Sequence, residues 1–264
     1  MAHREKKVVA VLPAYNAEKT LKATYDDIPK DWVDEILLVD DCSRDNTVAL
    51  ARELGIRTVV HQQNRGYGGN QKTCYRTAMD EMGADIMVMV HPDHQYDPTI
   101  IPHLVEPLQR GDCDAVFGSR MLGGRPIEGG MPKWKYFANL ALTAIENATF
   151  YVYLSEYHSG FRAYTRHFLE SVNFEANSDD FVFDTEIIAQ GVAKHMVVRE
   201  VPIQTRYFDE ASQIGFWRSV RYGFAILKTM VLYKLHKKRI WSHPIFRDPA
   251  TAAAPTAPAV SPTR

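Results

Sequence analysis

The sequence is poor in cysteine, has no surplus of either charge, and lacks a long apolar run. Cys42, Cys74 and Cys113 lie far apart with no Cys-x-x-Cys pair among them. That excludes a disulfide framework and a zinc knuckle and fits a reducing cytoplasm. Lys and Arg number 31 against 32 Asp and Glu, so no whole-molecule field favours nucleic acid, and any preference for anions must be local. Nowhere do the ~20 uninterrupted apolar residues of a membrane span occur. The nearest stretch, Phe216 to Leu235, is interrupted by Arg218, Arg221, Lys228 and Lys234. The polar opening Met1 to Lys7 leads directly into an apolar strand, without the hydrophobic region of a signal peptide.

What the sequence does contain is an alternation of short apolar runs and helical stretches. Val8 to Leu12, closed by Pro13, and Glu35 to Val39, closed by Asp40-Asp41, read as buried parallel strands. Between them Ala17 to Ile28 reads as a helix behind Asn16 as N-cap. The pattern repeats with helix 45–54, strand 57–61, helix 69–82 and strand 86–90, which predicts a doubly wound, mostly parallel α/β sheet with its ligand beyond the carboxyl ends of the strands. Further on, a helix over 100–109, a strand over 115–117, a Gly/Pro-rich loop over 118–132 and a helix over 133–150 are expected. They are followed by strand or loop over 157–164, helices near 166–172 and 184–195, a strand over 197–201 and a long helix over 215–238. The domain reading is a polar tail over 1–6, a catalytic domain over 7–212, an amphipathic helix over 213–240 and a disordered tail over 241–264.

Four strand ends carry polar clusters. After the first come Pro13, Tyr15, Asn16 and Glu18, able to bond a base or ribose but also an ordinary helix start. After the second come Asp40 and Asp41, whose adjacent acids suit ribose hydroxyls and a base NH. Asn64 to Lys72 is a glycine-rich turn into a helix; Gly69 and Lys72 there are candidate phosphate contacts, although the segment matches neither G-x-G-x-x-G nor a Walker A sequence. After the fourth strand, an extended run would point His91, Asp93 and Gln95 to one side as ligands for Mg²⁺ or Mn²⁺, with His94 turned away to pack.

Together these segments resemble the family 2 glycosyltransferases of GT-A fold, and among them the polyprenyl-phosphate (dolichyl-phosphate-type) mannosyl and glucosyl transferases. The resemblance covers roughly residues 7 to 235. It rests on Pro13-Ala-Tyr-Asn16, on Val39-Asp-Asp-Cys-Ser43 with Asp45-Asn-Thr47, and on His91-Pro-Asp-His-Gln95 in place of D-x-D-x-Q. It also rests on Gly118-Ser-Arg120, Ser159-Gly-Phe-Arg162 and Val201-Pro-Ile203. It implies that Asp41 contacts the nucleoside and that Asp93, assisted by Gln95, holds a metal and the donor diphosphate. Arg120, Ser159, Arg162 and Arg206 would face phosphates, the first three those of a lipid acceptor. His91 stands where an acid is usual, which predicts weaker and more pH-sensitive metal binding.

Glu156, Asp184 and Glu186 are the acids left for acceptor chemistry. An ionised phosphate acceptor needs little from a base, whereas a hydroxyl acceptor would need one, and on a helix only one of Asp184 and Glu186 can face the site. The expected function is transfer of a hexose from a UDP- or GDP-sugar to a polyprenyl phosphate with inversion. The alternatives are a saccharide or other hydroxyl acceptor, and a non-catalytic nucleotide-sugar-binding protein. The last long helix, with aromatic and cationic faces, suits the inner surface of a membrane and equally suits packing on the catalytic domain or on a twin chain in a homodimer.

Overall fold

A computed structural model describes residues 5–122, 126–205 and 215–249. Seven strands form one sheet: β1 (Val8–Ala14), β2 (Glu35–Asp40), β3 (Arg57–Val60), β4 (Ile86–Met89), β5 (Ala115–Ser119), β6 (Arg162–Thr165) and β7 (Val198–Pro202), in the order β3-β2-β1-β4-β6-β5-β7. Pairing is parallel throughout except at β6, which runs antiparallel to both β4 and β5. The helices are α1 (Leu21–Asp27), α2 (Thr47–Glu53), α3 (Gly66–Asp80), α4 (Ile101–Gln109), α5 (Lys133–Phe150), α6 (Arg166–Ser171), α7 (Phe183–Ala193) and α8 (Phe216–Lys237).

Strand alternation builds two cores. On β1, Val8, Ala10 and Leu12 face one layer, with Leu21 of α1 and Leu104 of α4. Val9 and Val11 face the other, with Tyr75 of α3, Ile187 of α7 and Ile226 of α8. Both faces of the parallel strands are therefore covered, which is why these strands read as unbroken apolar runs.

Three local expectations change. Helix α1 starts at Leu21 rather than Ala17, and its N-cap is Thr20 rather than Asn16, because the backbone N–H groups of residues 16–18 are spent on the loop after β2. Helix α3 starts at Gly66, so Gly68 and Gly69 are helical. The segment 241–249, expected to belong to a disordered tail, is ordered: Pro244–Phe246 form a 3₁₀ turn whose Ile245 and Phe246 are buried in the α7–α8 layer. Apolar side chains with a hydrophobic surface in reach override the surrounding Pro-rich composition. Among the described residues, no helix is long and apolar enough to cross a membrane.

Candidate active site

The strand ends of β1 and β2 are laced to each other. Asn16 adopts φ 51°, and its Oδ1 accepts from Arg44 N at 2.9 Å while its own N–H donates to Ser43 Oγ at 2.8 Å. Ala17 N donates to Thr47 Oγ1 and Glu18 N to Asp45. The Glu18 carboxylate accepts from Asn46 N and Nδ2. Asn16 and Glu18 thus brace two loops against each other, while Tyr15 projects into solvent.

The paired acids divide their work differently from expectation. Asp41 accepts from His61 at 2.8 Å, Arg65 N at 2.7 Å and Gly66 N at 2.9 Å, so its carboxylate caps the start of α3 rather than standing open to a nucleoside. Asp40 is fully buried and accepts from Ser43 N. Its Oδ1 has no hydrogen-bond partner among the described residues.

The glycine-rich segment does need close backbone approach, but its partner is protein. A Cβ at Gly68 would lie 2.3 Å from Ser178 O, and one at Gly66, whose φ is +82°, would lie 2.7 Å from Asp179 O. Gly68 N donates to that same Asp179 oxygen at 2.8 Å. Lys72 reaches Asn177 O and the Asp179 carboxylate. Gly68 and Lys72 therefore hold the loop before α7, with Gly69 beside the Asp179 side chain, so the close approach that these glycines allow is to protein.

Residues 91–95 form a turn, not an extended run, so the alternation argument for three ligands on one side fails. Pro92 opens the turn, His94 is left-handed at φ 55°, and the Asp93 side chain accepts from Gln95 N at 3.1 Å. His94 packs as expected, paired with Asp27 at 2.9 Å. His91 stacks on Tyr67 with ring centroids 5.5 Å apart. Burial holds the His91 imidazole below its ordinary pKa despite Asp93 and Asp184, and burial raises the Asp93 carboxyl despite His91.

Among the described residues no three or more His, Cys, Asp or Glu side chains converge into a closed metal cage. Of the three expected ligands, Gln95 is buried with its backbone N–H tied to Asp93, and the carboxylate and imidazole donors of the turn are Asp93 and His91. A hard, partly hydrated Mg²⁺ or Mn²⁺ fits such an open site, because it takes its other ligands from substrate phosphates and water.

Beside the turn, Asp184 accepts from Tyr67 Oη at 2.8 Å and from Gln71 Nε2 at 3.3 Å, and stands 3.6 Å from Arg162. Asp184 is the acid of α7 that faces the site; Glu186 turns away and accepts from Ser178 N. Arg162 is 2% exposed, and its guanidinium donates to Ser159 O, Tyr157 O and Asp184 O. It works against burial, yet Asp184 raises its pKa and keeps it charged. An acceptor-phosphate role for Arg162 does not fit this geometry: its donors hold the backbone that builds the site. Ser159 is likewise buried, and its hydroxyl accepts from Phe161 N.

Arg120 donates through Nε to Glu156 at 2.8 Å, and its backbone N–H reaches the other carboxylate oxygen. Burial would raise the Glu156 carboxyl, but Arg120 and Asn139 outweigh it and hold the group below the usual range. Glu156 is thus a fixed anion that orients Arg120. Arg206 lies outside the described residues. Tyr67, Gln71 and Gly160 were missed in the sequence. Tyr67 and Gln71 sit inside the glycine-rich segment, and their spacing of four on a helix was the available signal.

Residues 9–172 match the sequence profile of glycosyl transferase family 2. The chain is 28% identical to UDP-N-acetylglucosamine--dolichyl-phosphate N-acetylglucosaminyltransferase of Methanococcus voltae, over 88% of this chain and 98% of that protein. It is 25% identical to undecaprenyl-phosphate mannosyltransferase of Micrococcus luteus, over 75% and 82%. Among solved structures, glucosyl-3-phosphoglycerate synthase of Mycobacterium tuberculosis, crystallised with phosphoglyceric acid, superposes with a TM-score of 0.66 at 20% identity, covering 87% of this chain and 80% of that one. The same synthase with Mn²⁺, UDP and phosphoglyceric acid gives 0.64 at 21%, covering 87% and 78%. At that identity the likeness establishes the fold, the GT-A arrangement of a mostly parallel sheet flanked by helices. A sheet of this fold, an acid turn at the end of β4 and a profile match across most of the catalytic half converge: the chain is a glycosyltransferase and belongs to glycosyl transferase family 2.

Proposed function

We propose that this enzyme transfers a hexose from a nucleotide diphosphate sugar, UDP- or GDP-linked, to a polyprenyl phosphate, with inversion. The observation that carries the acceptor class is the commitment of its acids. Glu156 is held by Arg120, and Asp184 by Tyr67, Gln71 and Arg162. A hydroxyl acceptor requires a base, whereas a phosphate monoester arrives ionised and needs only orientation. The relatives from Methanococcus and Micrococcus, whose names specify polyprenyl-type phosphate acceptors, support the same reading.

Asp93 and His91 would hold Mg²⁺ or Mn²⁺, which supplies neutralisation of the charge growing on the departing nucleoside diphosphate. The laced loops 13–18 and 43–47 floor the nucleoside side, with Pro13, Tyr15 and Asp40 nearest the strand ends. Arg120, oriented by Glu156, is the cation offered to the acceptor. Incubation with radiolabelled donor and a polyprenyl-phosphate extract should move label into the organic phase; label confined to water-soluble products refutes the lipid acceptor.

A lipid acceptor also requires a surface on which to meet it. On α8, Trp217, Val220, Phe224, Leu227 and Val231 are exposed at helical spacing. On α5, which packs against α8, Trp134, Phe137, Leu140 and Ile145 are exposed. Helix α8 contains no Asp or Glu, and the sole acid of α5, Glu146, is fully buried. An apolar stripe with a purely cationic border opposes a second copy of itself and complements anionic headgroups. The double change Phe224→Glu with Leu227→Glu is therefore expected to weaken co-sedimentation with phosphatidylglycerol vesicles by roughly tenfold or more, without lowering the melting temperature. Unchanged sedimentation would dismiss this face as the membrane contact.

A further inference from the structure

We propose that Tyr67 and Asp184 position His91, the proposed metal ligand, by fixing its tautomer: the chain Asp184–Tyr67–His91 keeps the proton on Nε2 and leaves the Nδ1 lone pair as the one that would be available to a metal. The inference rests on the metal-assisted donor chemistry proposed above, and concerns what this chain does with an imidazole where the D-x-D-x-Q motif it resembles has an acid.

A phenol has one proton to give. Tyr67 Oη lies 2.8 Å from Asp184 Oδ2 and 3.4 Å from His91 Nε2. The shorter contact is to a buried carboxylate balanced by Arg162, and charge-assisted bonds of that kind are about twice as strong as neutral ones. The proton therefore goes to Asp184. What remains on the Tyr67 oxygen toward the imidazole is a lone pair, and only a protonated Nε2 can use it. A neutral imidazole protonated at Nε2 carries its lone pair at Nδ1.

Two packing observations hold the ring in this register. The Tyr67 and His91 rings stack at 13° to one another, and Phe181 backs Tyr67 at 4.7 Å. At that same Nε2 edge a Cβ at residue 160 would sit 2.7 Å from His91 Nε2 and 3.4 Å from Tyr67 Oη, so Gly160 is what lets the imidazole and the phenol approach there. The relay draws on α3, α7 and the turn after β4, so it aligns only in the folded site. Metal-bound histidines commonly donate the other ring N–H to a carboxylate or carbonyl, and loss of such a partner lowers metal affinity by about 10- to 100-fold. Here a phenol is interposed between the two.

The tautomer is read directly by NMR of protein labelled with ¹⁵N-histidine, without metal, the His91 signals being assigned by their disappearance in His91→Gln. We expect a protonated, pyrrole-type Nε2 and a pyridine-type Nδ1 in the parent, and loss of that preference in Tyr67→Phe. A proton on Nδ1 in the parent overturns the proposal. Mn²⁺ titration in the presence of UDP, with free ion followed by electron paramagnetic resonance, gives the functional half. Tyr67→Phe should weaken Mn²⁺ binding about tenfold in the parent and leave it unchanged in a His91→Asp background, because a carboxylate has no tautomer to set. An equal loss in both backgrounds would mean general distortion and would refute the relay, as would no loss in either. Failure of Mn²⁺ to bind the parent refutes it too. Mn²⁺ binding with no labelled lipid product leaves the relay standing and removes the acceptor reading instead.

Discussion

Asp93→Asn is expected to lower sugar transfer about a thousandfold while leaving the fold intact. The two consequences separate because Asp93 does two jobs with different atoms. Its turn-forming bond, Oδ1 accepting from Gln95 N at 3.1 Å, survives in asparagine, which presents the same carbonyl oxygen. The negative charge does not survive, and with His91 neutral it is the one formal charge the turn can offer a divalent ion. Losing a preorganised charge contact at a bond-breaking centre costs on the order of 10²–10³ in rate. Melting curves should overlay, and initial rates should stay low at any Mn²⁺ concentration. A loss under tenfold at saturating Mn²⁺ would show that the ion is held elsewhere. The pH dependence has a defined sign. Burial raises the Asp93 pKa, so its ligand form is present above that pKa and is lost, as pH falls, earlier than an exposed aspartate would lose it.

Arg162→Met should act on the fold itself. Removing one partner of a buried ion pair costs about 3–5 kcal/mol, and here the carbonyls of Ser159, Tyr157 and Asp184 would also lose their donor. For a chain of this size that corresponds to a fall in melting temperature on the order of 10 °C. Arg162→Lys should rescue little, since a single ammonium cannot span acceptors that a planar fork reaches together. A normal melting temperature with a raised KM for the acceptor would restore the phosphate-binding role that the resemblance implied. Phosphate-gripping and frame-holding arginines look identical in sequence; they differ in whether carbonyls surround them.

This distinction marks where the sequence stopped being legible. Strands β1, β2 and β4 were readable because burial on both faces leaves no polar position to blur the run. Helix α5 reads to its ends in sequence over 133–150, and in the structure Pro132 precedes it and the left-handed Tyr151 stops it. Strand β6 reads as strand or loop in sequence because a four-residue strand beginning with arginine carries almost no periodic signal, and its antiparallel direction depends on neighbours far away in the chain. The glycines of 66–69 announced a close approach but not its partner, which lies more than a hundred residues on, at 178–179. The turn at 91–95 was misread as extended for a local reason. The left-handed His94 breaks the alternation; histidine enters that region more often than most residues, yet still too rarely for the sequence to announce it. Of Asp184 and Glu186, helical geometry showed that only one could face the site, and contacts with Tyr67 and Gln71 decided which.

The whole chain has a formal net charge of −1, so if α5 and α8 display exposed lysines and arginines without exposed acids, the remainder of the molecule must be net negative. Cationic charge is then gathered on the helices that carry the apolar stripe. With that stripe as the membrane contact proposed above, a negatively charged surface would exert a torque as well as an attraction and turn the stripe inward. Because the Debye length is about 8 Å at physiological ionic strength, this alignment acts only within the last few molecular layers of solvent. Added salt should therefore slow productive landing before it weakens the landed state.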